Sequence, residues 1–246
     1  MSASALPTVL VHADKQQLAD ASGARLALAL ADARSGGRGA HVALTGGSMG
    51  SAIIASLVAS PLRSLVNWSR VDVWWGDERY LDAGDPDRND TQNDAAGLSA
   101  LGLDVARVHR VAGPDASDSP EASADAYGAA LREHGSGAFD VVLLGVGPDG
   151  HVASLFPHHP AQGTEGAVAI AVHDSPKPPP DRVSLTFECL NRTREVWYLV
   201  AGDDKADAVA AALAEGADRW DVPASGVRGS VATRWLIDAA AASRLA

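Results

Sequence analysis

Short β-branched runs alternate with longer alanine- and leucine-rich stretches along most of the chain, the pattern of strands separated by crossover helices. The strands predicted are Thr8–Val11, His41–Leu44, Val71–Trp75, Phe139–Leu144, Val168–Val172, Val183–Phe187 and Val196–Val200. Between the first two, Asp14 is placed to cap a helix whose apolar positions include Leu18, Ala21, Leu28 and Ala31, and Gly36-Gly37 to end it. A second helix should follow Ser48. A third begins at Ser119-Pro120-Glu121, with serine at the cap and proline in the first turn, and runs towards Glu133. The last clear unit is Asp203 to Glu215, followed by a helical tail around Trp235 to Leu245. Together these predict one α/β domain over residues 1–246, a doubly wound, mostly parallel sheet with helices on both faces.

Three segments break the alternation: Gly76–Asn93, rich in Asp, Gly and Pro; Pro157–Gly166; and the proline-stiffened run Ser175–Arg182. Long loops in a compact domain are often functional. In open parallel sheets ligands bind outside the carboxyl ends of the strands, and each segment of interest follows a strand on that edge.

Composition narrows the partners. A formal charge of -11 repels a polyanion, which argues against nucleic acid, and a small anionic substrate would need a local positive site. The single cysteine, Cys189, cannot close an intrachain disulfide, and no run of about 18 apolar residues could span a bilayer. The first ten residues lack the pattern of a secretory signal, so a cytoplasmic setting away from membranes is expected.

Thr45-Gly46-Gly47-Ser48 closes a strand and opens a helix. Paired glycines allow close backbone approach and the helix start offers free N–H groups, which suits a phosphate; a plain capped turn is the simpler alternative. Gly46, Ser48 and Gly50 also have the spacing of a serine-hydrolase nucleophile elbow. That reading wants a late histidine, whereas the last one is His173, and the oxyanion-hole run of lipases is missing. Gly145-Val-Gly147-Pro-Asp-Gly150 fits a dinucleotide fingerprint, but the prolines and glycines after it leave no crossover helix to receive a pyrophosphate. What the segment does offer is Asp149-Gly150-His151, an imidazole near a carboxylate, which is a general-base arrangement. His158-His159 do not make a metal-ligand set, and no metal or other cofactor is expected. Gly76-Asp77-Glu78-Arg79 puts a guanidinium among carboxylates directly after a strand, suited to an anion or a developing oxyanion. Lys177 and Arg182 would add positive charge.

Taken together, Thr45-Gly-Gly-Ser48, Gly76-Asp-Glu-Arg79, Gly145-Val-Gly-Pro-Asp-Gly-His-Val-Ala-Ser-Leu-Phe-Pro157 and Ser175-Pro-Lys-Pro-Pro-Pro-Asp-Arg182 resemble the 6-phosphogluconolactonase family. Val222–Arg228 and Trp235–Asp238 are similar to the family's ending. The resemblance implies the fold shared with glucosamine-6-phosphate deaminase and ribose-5-phosphate isomerase. It also implies hydrolysis of a sugar-phosphate lactone in the oxidative pentose phosphate pathway. His151 would activate water, with Asp149 beside it. Thr45, Gly46, Gly47, Ser48 and Asp77 would line the pocket, and Arg79, Lys177 and Arg182 would hold the phosphate or the oxyanion. The loop after Arg79, Asp85-Pro-Asp-Arg-Asn89, departs from the family pattern and carries no assigned contact. Alternatives are a deaminase or isomerase on the same scaffold, although Ser154–Pro157 lacks the acidic residue such enzymes carry after the histidine, and a serine esterase using Ser48. A non-enzymatic sugar-phosphate sensor would come with a DNA-reading module, for which no segment remains.

Overall fold

The computed structural model describes residues 6–33, 39–135 and 138–245. Gly36-Gly37, expected to end the first helix, lie outside the described residues. The main sheet has six strands: β1 (Thr8–His12), β2 (Ala40–Leu44), β3 (Val71–Trp75), β5 (Val141–Leu144), β8 (Glu195–Val200) and β9 (Ala232–Asp238). Their order is β1-β9-β8-β5-β2-β3, and every neighbouring pair is parallel.

Period-2 alternation divides the core across this sheet. Trp74, Val142, Leu144, Tyr198 and Trp235 enter one apolar cluster, which includes Leu131 of helix α4 (Pro120–Gly135) and Val209 of α6 (Ala206–Leu213). Val73, Trp75, Leu143, Trp197 and Leu236 enter the other, with α1 (Lys15–Ala33) and α2 (Gly47–Ala59). Cover on both faces is why the inner strands read as unbroken apolar runs. The predicted caps form: Asp14 Oδ1 accepts from the Gln17 N–H at 2.8 Å and Ser119 Oγ from that of Ala122 at 3.2 Å.

Two expectations change. The Val168–Val172 and Val183–Phe187 runs form β6 (Ala169–Val172) and β7 (Arg182–Leu185), which leave the main sheet. With β4 (Asp77–Arg79) they make a separate antiparallel sheet of order β4-β7-β6. The proline-rich connection between them holds no helix, and a parallel return needs a crossover of a dozen or more residues, so the strands pair as neighbours. The tail expected to be helical instead supplies β9, seated between β1 and β8, because its β-branched and aromatic run meets strand partners on both sides. Gly76 links the sheets: its N–H donates to Leu44 O at 3.0 Å, and its carbonyl accepts from the Leu185 N–H at 2.9 Å. That bend carries Asp77 and Arg79 over the carboxyl ends of the main strands.

Candidate active site

Loops after β2, β5 and β8 meet β4, the 173–182 connection and the first residue of α3 (Asn89–Ala95) around a cavity of about 350 Å³. Thr45, Gly46, Gly47, Asp77, Arg79, His151, Lys177 and Arg182 all line it. A larger groove of about 980 Å³ lies along β1 and the end of α6, but its lining is mostly apolar, with Glu215 and Arg228 as its charged members. The smaller cavity holds the chemistry.

His151 is presented by a tight turn in which Gly150, at φ 82°, donates to Gly147 O at 2.9 Å, while the Gly147 N–H donates to His151 O at 3.1 Å. The turn folds both side chains back over Gly147, where a Cβ would lie 2.0 Å from His151 Nδ1 and 2.4 Å from Asp149 Oδ1; only glycine leaves the room. His151 Nδ1 and Asp149 Oδ1 are 2.6 Å apart, and Lys177 Nζ stands 3.2 Å from the former and 3.3 Å from the latter. Burial pushes the Asp149 carboxyl up, but the His151 hydrogen bond and the charge of Lys177 outweigh it and hold the group well below the usual carboxylate range. An ionised Asp149 can only accept, so the ring proton sits on Nδ1 and Nε2 keeps its lone pair. An ammonium cannot donate to a protonated Nδ1, so the Lys177 bond goes to Asp149 and its charge rests against the ring.

On the opposite wall, strand alternation sends Asp77 and Arg79 into the pocket and Glu78 away from it. Arg79 Nη1 donates to Asn89 Oδ1, and Asn89 Nδ2 in turn donates to Asp77 O at 2.8 Å and Asp77 Oδ1 at 3.2 Å. Gly46 makes way for this amide, since a Cβ there would lie 2.0 Å from Asn89 Oδ1. Ser154 Oγ donates to Asp77 Oδ2 at 2.6 Å. Arg182 stacks over Phe156 at 5.6 Å and donates to the carbonyls of Lys177 and Pro178 at 3.1 Å and of Pro179 at 3.3 Å. It therefore shapes the loop that bears Lys177 as well as charging the wall.

Ser48 is exposed on the first turn of α2, outside the lining, and no hydrogen bond among the described residues joins it to His151. The Gly47 N–H, a proposed phosphate donor, instead reaches Gln92 Oε1 at 2.8 Å. The Pro157–Gly166 segment also contributes nothing to the lining; His158 N and Gln162 Nε2 hold it to Trp220 O. His158 and His159 turn apart, one towards Asp221 and the other to His173 O. The first helical turn after Gly150 is a short one at Pro160–Gly163, so the dinucleotide reading has no crossover helix.

Two polar lining residues escaped the sequence reading. Lys205 follows β8 on the same edge, in Gly202-Asp-Asp-Lys205, and the strand-end rule could have found it. Asn89 sits in the loop that departs from the family pattern, where no local signal marks it.

This fold and constellation define a member of an α/β family that acts on phosphorylated sugars: over residues 13–235 the chain matches, and belongs to, the glucosamine-6-phosphate isomerases/6-phosphogluconolactonase family. Among its relatives, it is 50% identical over 249 residues to the 6-phosphogluconolactonase of Streptomyces coelicolor, covering 97% of this chain and 95% of that one. The solved 6-phosphogluconolactonase of Trypanosoma brucei superposes with a TM-score of 0.82 at 29% identity, over 98% of this chain and 99% of that one. A monomeric glucosamine-6-phosphate deaminase, at 21% identity and a TM-score of 0.80 over 96% of this chain and 99% of that one, shares the fold.

Proposed function

We propose that the protein hydrolyses 6-phospho-D-glucono-1,5-lactone to 6-phospho-D-gluconate, acting in the cytoplasm as a single domain. The observation that carries this reading is the Asp149–His151 pair, 2.6 Å apart, facing a wall that holds Arg79 and Arg182. The name of the Streptomyces coelicolor relative supports it.

His151 Nε2 takes a proton from water, whose oxygen attacks the lactone carbonyl carbon. The C=O electron pair moves onto oxygen, and collapse of the tetrahedral centre breaks the ring C–O bond, with the imidazolium returning its proton to the leaving oxygen. Asp149 keeps the tautomer and steadies the imidazolium. General-base assistance is worth roughly 10²–10⁴-fold and an oxyanion donor about 10²–10³-fold. Lys177, against the base, serves the reacting carbonyl; Lys205 serves the phosphate, with Arg79 completing the cationic wall. The scheme uses no cofactor.

The deaminase alternative is disfavoured by Ser154-Leu155-Phe156-Pro157, which brings no carboxylate after the histidine and whose Ser154 is tied to Asp77. The esterase alternative is disfavoured by the exposed position of Ser48. A pH-stat assay of proton release from freshly generated 6-phosphogluconolactone, run beside an ammonia-release assay with glucosamine 6-phosphate, tests the reading. Ammonia release without lactone hydrolysis would overturn it.

A further inference from the structure

Glu78 sits on β4 between two pocket residues yet points away from the pocket. Its carboxyl is 1% exposed and buried against the start of α3. Oε1 accepts from the N–H of Arg79 at 2.8 Å and of Asn89 at 2.7 Å, and Oε2 accepts from that of Asp90 at 2.9 Å. Three main-chain donors thus converge on one carboxylate, and two belong to residues whose side chains meet in the pocket, where Arg79 Nη1 donates to Asn89 Oδ1. The nearest guanidinium atom, Arg88 Nη2, is 4.0 Å away, and that side chain spends its donors on Asp90 and on the carbonyls of Leu81 and Val111. A buried carboxylate without a close counter-ion is costly.

We infer that Glu78 is a positioning residue: by gripping the main chain of Arg79 and Asn89 together, its ionised carboxylate fixes the side-chain pair that presents the cationic wall to the substrate anion. The inference rests on the sugar-phosphate lactone reading of this pocket. Burial, with the charge of Asp90, raises the Glu78 carboxyl to about 7 against the backbone hydrogen bonds of Asn89 and Asp90 and the charge of Arg88. Asp77 and Arg79 on its own strand, Arg182 on β7 and Tyr127 on α4 complete the charged and titratable surroundings. Protonation turns an acceptor oxygen into a donor facing an amide N–H, so the grip loosens as pH falls through neutrality.

The test compares wild type, Glu78→Gln, Asn89→Ala and the double variant, using lactone hydrolysis from pH 6 to 8 and calorimetric binding of 6-phosphogluconate. Glu78→Gln, folded by circular dichroism, should lower kcat/KM on the order of 10- to 100-fold, the scale expected of misplaced binding groups. It should weaken 6-phosphogluconate binding and lose the part of the pH profile that Glu78 contributes. In the double variant it should add little to Asn89→Ala, because both act through one side-chain pair. Additive losses with an unchanged profile would mean a purely structural role and overturn the inference, as would wild-type kinetics in folded Glu78→Gln. Should Glu78→Gln not fold, folded Asn89→Ala decides: flattening of the neutral step supports the inference, and a wild-type profile overturns it. A wild type that neither hydrolyses the lactone nor binds 6-phosphogluconate would instead remove the reading of the pocket itself.

Discussion

Arg79 and Arg182 stand directly opposite each other in the antiparallel pair of β4 and β7, two guanidinium-bearing residues in one register position beside the pocket. Like charges so placed are destabilising by themselves. Arg79 Nε is also buried with no acceptor among the described residues. Both features are relieved if an anion enters the pocket.

Arg79→Gln should therefore leave stability unchanged or raise it by about 0.2–1 kcal/mol, the scale of a cross-strand pair. At the same time kcat/KM should fall roughly 10- to 100-fold, the value of one charge-assisted bond of about 1.5–3 kcal/mol. Urea unfolding and lactone kinetics on the same preparation read both. A variant destabilised by several kcal/mol would show that the arginine serves the fold instead.

His151→Ala should lose most turnover while keeping its fold, because the side chain belongs to a loop. Ser48→Ala should keep substantial activity, in line with its exposed position. The reverse order of losses, with labelling of Ser48 by a fluorophosphonate, would install the serine as nucleophile.

Gly147→Ala probes the turn beneath the base. A methyl group there would overlap His151 Nδ1 and Asp149 Oδ1, so the dyad must move. Turnover should fall on the order of 10²-fold, the cost of a misplacement near 1 Å, with little change in the unfolding midpoint. Unimpaired kinetics would show that the geometry of the pair does not matter.

Unphosphorylated gluconolactone should react with kcat/KM lower by on the order of 10²–10⁴-fold, since two or three charge-assisted bonds are lost. Lys205→Ala should weaken turnover of the phosphorylated lactone and scarcely touch the other. Lys177→Ala should harm both, because its ammonium lies against the His151 ring. Equal losses with both substrates in Lys205→Ala would remove that residue from the phosphate site.

Stability should carry a signature of Glu78. Because its pKa in the folded protein is raised from 4.5 to about 7, the folded state binds more protons than the unfolded state in that window. Its contribution therefore falls as pH rises from the ordinary glutamate range towards neutrality, while the ionised form is the one the pocket needs. Urea unfolding between those limits should show wild type losing stability relative to Glu78→Gln as pH rises. Parallel curves would be inconsistent with a raised carboxyl.

Much of the fold was legible in local pattern. The β-branched runs at Val71–Trp75 and Val196–Val200, the caps at Asp14 and Ser119, and the glycine turn at Thr45–Gly47 encode their conformations within a few residues. Motif spacing likewise brought Asp77, Arg79 and His151 to one edge, because loops after parallel strands gather there, whereas Lys177 and Arg182 reach it from the antiparallel sheet. Tertiary structure decided the rest. Trp235-Leu-Ile reads equally as strand or buried helix, and only the slot between β1 and β8 selects the strand. Whether β6 and β7 join the main sheet depends on partners far along the chain. Asn89 enters the pocket because Gly46, distant in sequence, lacks a side chain, and Ser48 leaves it because its side of the first turn of α2 faces solvent. Conformational preference acts over a turn or a strand, whereas pairing, burial and the direction of a side chain into a shared cavity are set by contacts that exist only once separated segments have packed.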